Sequence, residues 1–148
     1  MRILRYALVA ALAGLLLASC ADKPKKAPES SDGPSTENLS AADVKDAVVA
    51  FIHAEPQDQE RISKVETKLI KNLKWLAGKW ETKTIVLHSF SHLAEEKAPP
   101  DFTRALFDRA RVRLEKSDYQ VVETPYGHFN DLDLSAPGHP LARVFKQL

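Results

Sequence analysis

The chain has 148 residues, of which 44% are hydrophobic, and its 21 basic and 20 acidic side chains leave a formal net charge of +1. This length and composition are typical of one globular domain, and the near-neutral charge excludes a protein that holds nucleic acid by bulk electrostatic attraction. The single cysteine excludes an intramolecular disulfide and a cysteine-rich zinc site.

The N-terminus has the order of a bacterial export signal. Arg2 and Arg5 precede an apolar run, Tyr6–Leu17, which is followed by LASC with the cysteine at Cys20. The run is too short to span a bilayer, which takes about 20 apolar residues. The order resembles a lipoprotein signal peptide and lipobox, which implies cleavage after residue 19 and lipidation of Cys20. A buried helix with a chance cysteine, or a misassigned start codon, is the alternative.

The resemblance to lipoproteins also predicts the location of the protein. Cleavage removes two of the 21 basic residues, so 19 remain against 20 acidic ones. Ala21 after the cysteine resembles the outer-membrane sorting pattern, and we expect a lipid anchor in the outer membrane, facing the periplasm. Residues 20–42 hold three prolines and no aromatic side chain, which predicts a disordered tether. The folded domain is then 43–148, behind a signal peptide at 1–19.

The pattern of residues 43–148 predicts alternating strands and helices. Apolar and β-branched runs predict strands at 48–52, 84–88, 119–123 and 129–134. Apolar residues at helical spacing predict two helices, one carrying Ile62, Val65, Leu69, Leu73 and Leu76, and the other Phe102, Leu106, Ala110 and Leu114. Gly78 is expected to cap the first helix, and Pro140 to open a short final one. The order predicts an α/β fold with crossover helices, and a hairpin between the last two strands would make its small sheet mixed.

Histidines are the unusual feature of a sequence that contains no GxSxG, HExxH, Walker A or GxGxxG motif. His53, His88 and His92 lie at or just after predicted strand ends, where α/β sheets bind ligands. His128 and His139 lie in loops that are predicted to reach the same edge. No carboxylate or cysteine joins these histidines at a known ligand spacing, so neither a metal nor a cofactor is expected.

Four blocks carry a resemblance to a known family: AVVAFI at 47–52, IVLHSFSHL at 85–93, TPYGHFN at 124–130 and GHPLA at 138–142. From Val44 to Leu148 the chain resembles the amino-terminal editing domain of archaeal-type threonyl-tRNA synthetase, which is related in fold to the D-aminoacyl-tRNA deacylases. The resemblance implies a deacylase-like fold. It also implies hydrolysis of serine wrongly esterified to threonine tRNA, by water attack on the ester carbonyl.

The resemblance also implies a pocket and shows departures from it. The pocket positions in this sequence are His92, Pro125, Tyr126, Gly127, His128, Phe129, Asn130 and His139. If the site is catalytic, His92 or His128 is the expected base. The family has tyrosine and lysine where this chain has Phe129 and Asn130, and an acidic residue where it has Arg143. The family's first strand is expected to be absent, because the signal and tether occupy that length.

Three functions follow from these features, in order of preference. The first is a lipid-anchored envelope protein whose editing-like domain binds a small amino-acid-like ligand without catalysis. The second is a hydrolase of aminoacyl esters in the same compartment. The third is a cytoplasmic trans-editing factor for seryl-tRNA of threonine, which requires a misread N-terminus. The membrane is the expected partner, and nucleic acid is not.

Overall fold

The computed structural model describes residues 6–9 and 43–148. Apart from Asp43, the described residues belong to one compact unit. The predicted lipidation site Cys20, the predicted tether and the cleavage site lie outside them. In this described part of the chain, neither helix is both long and apolar enough to cross a membrane.

The described residues form one parallel sheet with two helices. The strands are β1 (Tyr6–Val9), β2 (Ala47–Ile52), β3 (Thr84–Ser89), β4 (Gln120–Glu123) and β5 (Arg143–Val144), and the helices are α1 (Ile62–Lys79) and α2 (Pro100–Glu115). The strand order is β4-β3-β2-β1-β5, and every pairing is parallel. Short 3-10 turns occupy Pro56–Arg61 and Pro140–Ala142. The predicted α/β fold with crossover helices is confirmed.

Helix α1 forms because its apolar stripe covers the sheet. Leu73 and Leu76 are fully buried against Val48 and Ala50 of β2, with Leu69 beside them. The helix continues past Gly78 to Lys79, so the expected glycine cap is wrong by two residues. Glu81 takes the left-handed conformation instead, with φ of 54°, and Thr82 N–H donates to Ala77 O at 3.0 Å, which closes the end of the helix.

The predicted hairpin after β4 is wrong. Helix α2 returns the chain to the same end of the sheet as α1 does, so β4 pairs with β3 in parallel. Residues 129–134 form no strand, and their apolar members Phe129, Leu132 and Leu134 are exposed. Alternation of polar and apolar residues therefore marks an exposed segment here rather than a half-buried strand.

The sheet contains a first strand that the sequence was expected to lack. Tyr6–Val9 pairs with Val48–Phe51 of β2 on one side and with β5 on the other. This strand lies inside the apolar run of the predicted signal peptide. An apolar run of this kind can serve as a signal core or as a buried strand, because both require an uncharged hydrophobic segment.

A buried carboxylate ties the two helices together. Glu66 of α1 is 2% exposed, and its two carboxylate oxygens lie 2.6 Å from Arg109 Nη2 and 2.7 Å from Arg113 Nη1 of α2. Both arginines are about half exposed at their side chains. The carboxylate is thus neutralised by two cations that remain partly hydrated, which reduces the cost of its burial.

We expect Glu66→Gln to lower the free energy of unfolding by about 1–3 kcal/mol, the range for a lost charge-assisted hydrogen bond. The amide keeps the shape of the side chain but removes the charge that both arginines face. Urea unfolding measures the change. Glu115→Gln, which alters an exposed carboxylate 3.8 Å from Arg111, is the matched control and should change stability by less than about 0.5 kcal/mol. Equal losses in the two variants would show that Glu66 acts as an ordinary surface charge.

Candidate functional site

The carboxyl ends of β2, β3 and β4 meet at one edge of the sheet. His53 follows β2, the segment 90–93 follows β3, and Thr124 follows β4. Loops at this edge form the ligand crevice of parallel α/β sheets, because the strands end together while the helices cover the faces. The structure therefore brings His53, His88 and His92 to the edge where the sequence predicted them.

His88 links β3 to the loop after β4. Its ring is buried, and a hydrogen bond of 2.8 Å joins its Nδ1 to Thr124 Oγ1. Its ring also packs against Phe51, with centroids 5.0 Å apart. Burial lowers the pKa of His88, because the charged imidazolium loses hydration. His88 is therefore neutral at pH 7 and positions the start of the loop at 124–130.

His92 is an exposed member of the same cluster of rings. It packs edge-on against Phe90 with centroids 5.6 Å apart, and Phe90 packs in turn against Phe51 at 5.5 Å. We call Phe51, His88, Phe90 and His92 the aromatic cluster. Through it, the predicted pocket residue His92 is coupled by packing to the loop that follows β4.

The loop at 125–130 is held by its own backbone and by one cation. Gly127 takes φ of +83°, a conformation that disfavours side chains, so it is the residue that lets the loop turn. The Arg104 guanidinium lies 5.0 Å from the centre of the Tyr126 ring. The Asn130 amide donates to Pro125 O at 3.4 Å and to His128 O at 3.3 Å. Phe129 is 98% exposed, so neither departure from the family pattern supplies a cation or a hydroxyl here.

The structure places His139 apart from the loops that carry the other predicted pocket residues. Its ring packs against Trp80 at 5.2 Å, and its Nδ1 accepts a hydrogen bond from Leu141 N–H at 3.1 Å. Trp80 lies in the connection from α1 to the start of β3, and His139 lies in the segment that leads into β5, so both lie at the amino-terminal edge. In a parallel sheet that edge is opposite the loops of His92 and Asn130, so His139 acts as a cap of the 3-10 turn at 140–142.

Arg143 is also separated from Asn130. It lies in β5 at one side of the sheet, whereas the loop of Asn130 follows β4 at the other side. Four strand spacings of about 4.8 Å place these two strands about 19 Å apart. The two charge departures from the family therefore do not act on one another directly.

A cleft opens at the carboxyl end of β2, outside the predicted pocket. Its volume is about 90 Å³, and its apolar wall includes Ile52, Val65 and Leu69, with Arg61 and Lys146 among its charged residues. None of the eight predicted pocket residues lines it, although Leu93 beside His92 does. The sequence missed this cleft because Phe145–Leu148, which line its far side, come from the end of the chain.

His53 is the titratable ring in this cleft. Its Nε2 donates to Glu96 O at 2.8 Å, which leaves Nδ1 as the acceptor nitrogen of the neutral ring. That Nδ1 is buried and has no hydrogen-bond partner among the described residues. Nor do three or more histidine, cysteine, aspartate or glutamate side chains converge on a metal position within residues 6–9 and 43–148. With its apolar wall and its charged lining residues, the cleft is suited to a small amphipathic molecule.

The buried His88 predicts an acid-sensitive fold. Its folded pKa lies below its unfolded value of about 6.5, so the unfolded chain binds the proton more readily. The contribution of His88 to stability is therefore complete above about pH 6.5 and is lost as the pH falls through the folded pKa. We expect His88→Gln, whose amide can keep the contact with Thr124, to show a shallower loss of melting temperature between about pH 7 and about pH 5. The exposed His128→Gln is the control and should keep the wild-type slope.

The fold and site define a parallel α/β domain with a loop-lined site at the carboxyl edge of its sheet. The family model described as the archaea-specific editing domain of threonyl-tRNA synthetase matches residues 20–148, and the chain belongs to this family. The threonine–tRNA ligase of Methanopyrus kandleri is 28% identical over 106 residues, which cover 72% of this chain and 17% of the ligase. That of Thermococcus kodakarensis is 27% identical over 127 residues, covering 86% of this chain and 20% of the ligase. The Pyrococcus furiosus ligase is 28% identical over 127 residues, which again cover 86% of this chain and 20% of the ligase. The chain thus spans about a fifth of the curated relatives it matches.

Proposed function

We propose that the protein is a lipid-anchored component of the cell envelope whose editing-like domain binds a small amino-acid-like ligand without hydrolysing an ester. The observation that carries the proposal is the state of Asn130. Its neutral amide occupies the position of the family's lysine and is directed to two carbonyls of its own loop. The domain keeps the family fold and loses the cation that the family's chemistry uses at this position.

The N-terminal sequence supports the proposed location. The family match covers residues 20–148, so it leaves out the predicted signal peptide at 1–19 and includes the predicted tether. Acyl chains on Cys20 would anchor the domain, with residues 21–42 as a tether to an outer membrane facing the periplasm. Aminoacyl-tRNA is not found in that compartment, which favours a small ligand over a tRNA substrate.

The amphipathic cleft at the end of β2 supports an amino-acid-like ligand. Apolar side chains provide a wall for a short aliphatic group, and Lys146 can pair with a carboxylate. Arg61 is itself paired with Asp58, at 3.6 Å, and both residues line the cleft. Titration calorimetry of the purified protein with free amino acids tests this assignment, with Lys146→Ala, which removes a cation that lines the cleft, expected to weaken any binding at least about tenfold.

One observation favours a second candidate function. Tyr6–Val9 forms the strand between β2 and β5, and this strand is available only while residues 1–19 remain on the chain. An uncleaved protein would be a complete editing-like domain, which fits a hydrolase of aminoacyl esters that edits seryl-tRNA of threonine in trans. His92 or His128 would then serve as the base.

Lipidation separates the two candidates. In cells fed labelled palmitate, we expect the wild-type protein to incorporate label and to lose residues 1–19, because the Cys20 thiol is the acyl acceptor. Cys20→Ser should carry no label and keep its leader. Ser19→Ala, which keeps a small residue before the cleavage site, is the control and should be processed as the wild type is. Processing and membrane extraction that are the same in Cys20→Ser as in the wild type would contradict the envelope proposal and favour the editing factor.

A further inference from the structure

The strand β1 occupies an interior position of the sheet. Tyr6–Val9 is hydrogen-bonded to Val48–Phe51 of β2 on one side, and its centre pairs with Arg143 and Val144 of β5 on the other. It is therefore the element that connects β5 to the rest of the sheet. Within the described residues, β5 pairs with no other strand.

Cleavage of the signal peptide would remove strand β1 from the sheet. This inference rests on the proposed function, in which cleavage before Cys20 removes Tyr6–Val9 from the mature protein. The backbone groups of Val48–Phe51 that face β1 would then have no ladder partner. Val48 and Ala50 are fully buried in the structure, and unpaired peptide groups in apolar surroundings cost several kcal/mol.

We propose that the mature protein binds an extended apolar segment of a partner protein of the envelope in this open position, parallel to β2. The chemistry of the segment follows from the residues it would pair with. On the β2 side, Val48, Val49, Ala50 and Phe51 carry no charge, so a charged strand would leave its charges without partners on that side. On the other side Arg143 of β5 pairs with Ala7, and its side chain is exposed, so it keeps its hydration beside an uncharged strand. The resident strand has the sequence Tyr-Ala-Leu-Val, which carries no charge. Strand addition to an open sheet is an established mode of peptide recognition.

A second copy of the chain is a poorer occupant. Among the described residues, two unpaired segments carry exposed apolar side chains, 129–134 and 145–148. The first contains Asp131 and Asp133 and the second Lys146, and each would place a charge next to the apolar strand β2. The observations therefore favour an uncharged segment from another protein.

The experiment uses the mature protein purified in detergent from membranes of cells that express the full chain. Intact mass first establishes where the chain begins. The probe is a synthetic peptide with the sequence of residues 3–12, and its control carries Leu8→Pro, because proline lacks the N–H group that a strand ladder needs. Hydrogen exchange is followed at Val48–Phe51. Strand β4, which does not neighbour the position of β1, is the internal reference.

Successive amides of Val48–Phe51 face β1 and β3 in turn. We expect the amides that face β1 to exchange fast in the mature protein, to slow at least about tenfold with the wild-type peptide, and to be unchanged with the proline peptide, while the amides that pair with β3 stay slow throughout. The inference would be overturned if, in a cleaved chain, the amides of Val48–Phe51 that face β1 were already protected and their exchange did not change with the peptide. That result would mean that β5 had closed against β2. The lipoprotein proposal would still stand. Protection that grows with protein concentration alone would overturn it in favour of a second copy. A mass that includes residues 1–19 would overturn both the inference and the envelope proposal.

Discussion

Leu73→Ala should lower the free energy of unfolding by about 2–5 kcal/mol. Leu73 lies at the centre of the stripe by which α1 covers the sheet, and it is fully buried in the main core with Val48, Leu87 and Leu114. Truncation removes buried apolar surface and leaves a cavity that the surrounding strands and α2 can fill only in part. A domain of this size has a total stability of about 5–15 kcal/mol, so the loss should appear directly in urea or thermal unfolding of the full chain.

The matched control is Lys71→Ala on the exposed face of the same helix. Alanine has the higher helix propensity, so the control should change stability by less than about 0.5 kcal/mol. It separates the effect of burial from any effect of alanine on the helix itself. If Leu73→Ala were as mild as Lys71→Ala, the contact between α1 and the sheet described above would be wrong.

The full-length protein should not hydrolyse the ester of seryl-tRNA of threonine faster than buffer alone does. The family resemblance implies a lysine at the position of Asn130, and a neutral amide cannot stabilise a developing oxyanion by charge. Loss of one such stabilising contact costs about 10²–10³-fold in rate. Phe129, which replaces the family's tyrosine, has no hydroxyl and is directed to solvent. Release of labelled serine from the mischarged tRNA measures the activity.

Reversion tests whether these positions account for the missing activity. Asn130→Lys restores the cation, and a double variant adds Arg143→Glu. We expect Arg143→Glu to add little to Asn130→Lys, because Arg143 lies in β5, on the opposite side of the sheet from the strand that precedes Asn130. Cleavage by the wild-type protein well above the buffer rate, abolished in His92→Ala, would refute the binding proposal and restore the editing function.

Much of the fold could be predicted from the sequence because it rests on local patterns. The helical spacing of Leu69, Leu73 and Leu76 forms one apolar stripe in any context, and that stripe covers the sheet here. The β-branched runs of β2 and β3 lie at the predicted positions within a residue or two. The four sequence blocks also identified the family, because each couples particular residues to a particular element.

The candidate site was predicted only in part. His92 and the loop at 125–130 lie at the carboxyl edge as expected, since the ends of parallel strands share an edge. The link through His88 and Thr124 was not predicted, because a buried polar contact between two strands leaves no periodic signal. The cleft at His53 was missed for a similar reason, as its walls come from segments far apart in the chain.

The sequence by itself determined which segments are apolar enough to be buried and which family the domain resembles, since both depend on residues and their spacing. Only the tertiary structure decided where those segments go. It placed His139 against Trp80 at the amino-terminal edge, left 129–134 outside the sheet, and paired Tyr6–Val9 between β2 and β5. The sequence of an apolar run predicts that it will be buried, but it does not specify the surface against which it packs. For that reason the same residues, 6–9, can read as a signal core in the sequence and form a strand in the fold.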